Sequence, residues 1–70
     1  MDLEMLNKKI RDSGMTMVAI SSKIGITRET LYNKINGSVE FKASEMQKLS
    51  NVLGLSEEDR NHIFFTNNVN

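Results

Sequence analysis

Four glycines, at positions 14, 25, 37 and 54, are the strongest chain breakers in a 70-residue sequence without proline, and each closes a short apolar run at helical spacing. Leu3, Leu6 and Ile10 fall at i, i+3 and i+7, so the first run reads as a helix ending at Gly14. Thr16 caps a second, in which Ile20 and Ile24 lie one turn apart before Gly25. Thr27 caps a third, with Leu31 and Ile35 inward and Asn36-Gly37 at its end. Ser44 and Gln47 have the spacing of a capping box for a fourth helix, which turns Met46, Leu49, Val52 and Leu53 to the core and stops at Gly54. Ser56 and Asp59 repeat that start signal for a fifth, carrying Ile63 and Phe64. No segment sustains period-two alternation, and Val39 to Phe41 is too short to count as a strand. The expected fold class is all-α, a compact five-helix bundle over residues 1–65. The loop from Gly37 to Ala43 is its longest connection and is expected to be exposed, and residues 66–70 form a flexible or dimer-contacting tail.

A chain this short buries only about 60% of its unfolded surface, so its core must be simple. Without cysteine there is no disulfide or thiolate metal site, and a reducing cytoplasm is the expected location. No apolar run approaches the roughly 20 residues of a membrane span, and the start lacks a signal-peptide pattern. The net charge is zero, which counts against a nucleic-acid partner, but its distribution is uneven. Residues 23–48 carry Lys23, Arg28, Lys34, Lys42 and Lys48 against Glu29, Glu40 and Glu45, while residues 49–70 carry Arg60 against Glu57, Glu58 and Asp59. The basic excess therefore sits in the middle of the chain.

That middle holds the most informative stretch, MVAISSKIGITRETLYNKIN, Met17 to Asn36. Two runs too short to be stable helices alone flank Gly25, which permits a sharp turn. Ile26 plugs the corner, and the small Ser21 allows the two helices to approach closely. This spacing leaves Thr27, Arg28, Glu29, Tyr32, Asn33 and Lys34 pointing outward. Arginine offers a fork to guanine, asparagine pairs adenine, glutamate accepts from cytosine, and threonine or tyrosine meets a thymine methyl. The same residues also suit an ordinary solvated face, and composition alone does not separate the two readings.

The pattern resembles the Cro and phage-repressor type of helix-turn-helix regulators, the XRE family, over residues 3 to about 65. Gly14-Met15-Thr16 is similar to that family's lead-in to its second helix, Ile24-Gly25-Ile26-Thr27 to its turn, and Leu31-Tyr32-Asn33-Lys34-Ile35-Asn36-Gly37 to the end of its recognition helix. Leu53-Gly54-Leu55-Ser56 resembles the close of its fourth helix. The short length and Phe64-Phe65 look most like small phage or prophage members. The resemblance implies a lambda-repressor-like bundle whose third helix enters the major groove of double-stranded operator DNA. It carries Arg28, Glu29, Tyr32 and Asn33 onto base-reading positions. Thr27 and Asn36 fall on phosphate-contacting positions, with Ser38 and Lys42 in the loop that follows and Met17 and Lys34 completing the backbone set. Amides at the start of the second helix would face a further phosphate. Two positions depart from the family's pattern. Met17 stands where glutamine is common, and Ile10 and Ile35 match positions at which some members bury an arginine–glutamate pair, an exchange that need not cost stability.

The remaining features have plainer readings. His62 has no neighbouring ligand set for a metal, the acidic turn Glu57 to Asp59 suits a helix dipole, and the five methionines fill the core apart from the initiator. No nucleophile, base and orienter suggest an enzyme, and no cofactor or small-molecule site is evident. Phe64, Phe65 and Val69 are the dimer-contact candidates. A dimer would place two recognition helices about 34 Å apart on a palindrome, and a monomer would not. With no effector domain after residue 65, the expected role is a repressor acting by promoter occupancy. The rival is a protein-interaction module, antirepressor-like, that keeps the fold with weak DNA affinity.

Overall fold

The computed structural model describes residues 1–65, which form five helices: α1 (Leu3–Ser13), α2 (Met17–Ile24), α3 (Arg28–Ile35), α4 (Ala43–Leu53) and α5 (Glu57–Phe65). Among the described residues there is no strand. The hydroxyl of Thr16 accepts from the Ala19 amide at 3.0 Å, that of Thr27 from the Thr30 amide at 3.1 Å, and that of Ser56 from the Asp59 amide at 3.0 Å. Each of these starts is therefore fixed by the side chain that the sequence nominated. The first helix has a further cap, Asp2, whose carboxylate accepts from the Met5 amide at 3.0 Å.

The fourth helix begins differently from the Ser44–Gln47 reading. Lys42 occupies the cap position, and the Glu45 carboxylate reaches back to accept the Lys42 amide at 2.8 Å. Only that half of a capping box requires the glutamate, so the cap residue itself need not be a hydroxyl.

One core runs through the bundle: Leu6 and Ile10 from α1, Ile20 and Ile24 from α2, Leu31 and Ile35 from α3, Phe41, Leu49, Ile63 and Phe64. α2 packs on α3 and α4, and α1 packs on α3, α4 and α5. Helices of eight residues hold their shape through this burial, not through intrinsic propensity. Met46, Val52 and Leu53, read from the sequence as core, lie partly buried against it. The loop before α4 is exposed at Ser38 to Glu40 as anticipated, but Phe41 turns inward and meets the Phe64 ring edge-on, centroids 5.8 Å apart.

Candidate nucleic-acid interface

The crossing of α2 and α3 is set by three residues. Gly25 takes φ +80°, and with it the Ile26 amide reaches the Ser21 carbonyl at 3.0 Å, a six-residue closure that turns the chain within two positions. Ile26 packs against the core, and Ser21, itself buried, bonds back to the Val18 carbonyl at 3.0 Å instead of needing a partner on α3. At the far end of α3, the Asn7 side chain from α1 donates to the Ile35 carbonyl at 3.4 Å, and Gly37 adopts φ +88°. A Cβ at Gly37 would come 3.2 Å from Leu3, so the left-handed turn and the close packing on α1 both favour glycine there.

With Leu31 and Ile35 buried, α3 presents Arg28, Glu29 and Tyr32 to solvent, Tyr32 at 61% exposure. These three line one shallow hollow together with Met17 from α2. Among the described residues, neither Arg28 nor Glu29 makes an ion pair, so both have polar groups available to a ligand. Met17 packs partly against the core and offers a thioether without a donor, so its side chain can supply apolar contact but no hydrogen bond to a phosphate oxygen. Asn33 is half-buried and does not line this hollow with them; its backbone carbonyl accepts the amides of Ser38 and Val39 at 2.9 and 3.1 Å. Asn36 is exposed and its side chain accepts the Ser38 amide at 2.9 Å, which orders the start of the loop; Ser38 and Lys42 are exposed further along it.

Lys34 departs from expectation. It is only 4% exposed, and its ammonium lies inside the protein, 2.5 Å from Glu45 Oε1 and 3.2 Å from the Glu40 carbonyl. Lys34 is therefore no phosphate ligand. Its sequence position gave the signal, because Leu31, Lys34 and Ile35 form an i, i+3, i+4 stripe on the inward face. Burial alone would raise the Glu45 carboxyl, but the hydrogen bonds from Lys34 and the Lys42 amide, with both charges, outweigh it and hold the group below its usual range.

Phe64 likewise belongs to the core, at 5% exposure, because it closes the space beside Phe41 and is not free for a subunit contact. Phe65 is 67% exposed and borders a hollow with Ala43, Met46, Gln47 and Arg60. Val69 lies outside the described residues.

The charge pattern follows the same division. Lys9 on α1 pairs with Asp59 on α5 at 3.0 Å, Lys8 pairs with Asp12 within α1, and Lys34 with Glu45. In residues 23–48 this leaves Lys23, Arg28, Lys42 and Lys48 outside ion pairs among the described residues, against Glu29 and Glu40. Among the described residues no His, Cys, Asp and Glu side chains gather as a metal site, and no helix is long and apolar enough to cross a membrane.

Two short helices crossing over a glycine turn, the second carrying an exposed polar face, define a helix-turn-helix DNA-binding fold. A helix-turn-helix family model matches residues 8–59, and the chain belongs to that family, the XRE or Cro type of DNA-binding regulators. Neither the curated proteins nor the solved structures gave a match.

Proposed function

We propose that this protein is a sequence-specific repressor that inserts α3 into the major groove of an operator and acts by occupying it. The observation that carries the reading is the convergence of Arg28, Glu29 and Tyr32 on one exposed face of α3, their polar groups unspent within the fold. Arg28 reads guanine through its paired donors, Asn33 reads adenine, Glu29 accepts from a cytosine amino group, and Tyr32 with Met17 forms an apolar wall for a thymine methyl. Thr27, Asn36, Ser38 and Lys42 contact phosphates, joined by the amides of Met17 and Val18, which have no partner among the described residues.

Binding to the gene's own upstream DNA, titrated from low to high salt, tests this. Specific binding that weakens steeply with salt is expected, because phosphate neutralisation releases counterions. Failure to bind any duplex at any salt would instead favour a protein-interaction module, a reading to which the zero net charge lends support.

A second copy completes the operator complex, its contact centred on Phe65. Two subunits then present their α3 helices about 34 Å apart to a palindromic site. Sedimentation of Phe65→Ser, free and on DNA, should show loss of the dimer formed by the wild-type chain. A wild-type chain that stays monomeric both free and on the palindrome would rule the dimer out.

A further inference from the structure

The loop between α3 and α4 is anchored at both ends by the recognition helix. At its start the Asn33 carbonyl accepts the amides of Ser38 and Val39. At its end the Lys34 ammonium donates to the Glu40 carbonyl and to Glu45, and the same Glu45 oxygen accepts the Lys42 amide. The ammonium also lies 6.0 Å from the centre of the Phe41 ring, within range of its negative face, while Phe41 is wedged against Phe64. Lys34 thus bonds the loop backbone and the first turn of α4, and its ammonium stands over the loop's single buried side chain.

Burying such a pair is not an efficient way to gain stability, since two well-packed apolar side chains would serve as well or better. What the pair adds is direction. An ammonium dictates where the Glu40 carbonyl and the Glu45 carboxylate must stand, whereas a methyl group of equal volume leaves both unconstrained.

We infer that Lys34 and Glu45 are positioning residues for DNA binding: without touching DNA, the pair holds the Asn36–Lys42 loop at a fixed offset from the base-reading face of α3. The inference rests on the reading of α3 and its loop as the DNA-contacting surface. Asn36, Ser38 and Lys42 then meet phosphates at the same time as Arg28 and Asn33 meet bases, and the pair governs the phosphate-borne, sequence-independent part of the affinity.

The test is the double substitution K34M/E45M in the full chain, which leaves the net charge unchanged, so no change in overall charge contributes to the result. The variant should fold. It should bind a selected duplex and a random duplex each about tenfold more weakly, with their ratio preserved and the slope of log K against log salt reduced by about one to two, as for the loss of one or two phosphate contacts. A folded double variant with wild-type affinity and slope would overturn the inference. So would a loss confined to the selected duplex.

Amide exchange on the unmodified protein gives an independent answer, needed if the variant does not fold. The Val39 and Lys42 amides should exchange only with global opening, at the protection of core amides such as Leu31. Exchange of these loop amides by easy local opening would overturn the inference. A wild-type chain that binds no duplex would instead remove the functional reading, and the exchange result would still say whether the loop and helix move as one.

Discussion

Replacing Lys34 by alanine is expected to cost about 3 to 5 kcal/mol of folding free energy, enough to unfold much of a domain of this size at growth temperature. The substitution strands Glu45, only 7% exposed, with the Lys42 amide as its one remaining donor, and it opens a void beside Phe41. A surface lysine such as Lys8, paired with Asp12 in water, should cost no more than about 1 kcal/mol on the same change. Urea unfolding of the two variants separates these cases; a Lys34→Ala midpoint equal to that of wild type would show that Glu45 is not left as an uncompensated buried charge. The pair also sets an acid limit. Because the Glu45 carboxyl titrates below its usual 4.5 in the folded protein, its contribution is fully present above that value and is lost as the pH falls through the lower, folded one. Thermal melts of wild type should therefore drop on acidification below about pH 4.5, and Glu45→Gln should show a shallower drop. Asp2 and Asp12, held low by the Met5 amide and by Lys8 respectively, act in the same direction and leave a residual slope in that variant.

The contrast between Lys34 and its neighbours shows which features a sequence displays. Helix starts were legible where a hydroxyl makes the cap, at Thr16, Thr27 and Ser56, because the bond that forms is local and its partners lie three residues away. The fourth start was not, because there the cap is a backbone amide served by Glu45, and lysine carries no capping signature. Phe41 was missed for a related reason: a lone aromatic in a loop has no period, and only the tertiary fold brings Phe64 to it. On α3 the turn positions correctly placed Arg28, Glu29 and Tyr32 outside and together. Lys34 shares their helix, and the expectation that it points outward with them fails because its i+3 relation to Leu31, next to Ile35, turns it to the inward face. Its partner lies 11 residues away, at a separation that no local pattern encodes. Ile10 and Ile35 are both buried in the core, the buried ion pair sits instead between α3 and α4, and the Asn7 amide of α1 reaches the end of α3.

Arg28→Ala should weaken binding to the selected operator by about 1 to 3 kcal/mol, some 5- to 150-fold, and relax the base preference at one position, while random DNA loses far less. Arg28 opens α3, is exposed and has no ion-pair partner among the described residues, so removing it leaves no stranded charge and should not disturb folding. Lys42→Ala, at the far end of the anchored loop, should behave in the opposite way, weakening all duplexes about equally and lowering the salt slope by about 1, because a phosphate contact carries no sequence information. Measuring wild type and both variants on operator and random duplexes at two salt concentrations separates the two kinds of contact. If Arg28→Ala lowers both affinities by the same factor, Arg28 is a phosphate ligand, and the reading of bases must pass to Glu29, Tyr32 and Asn33.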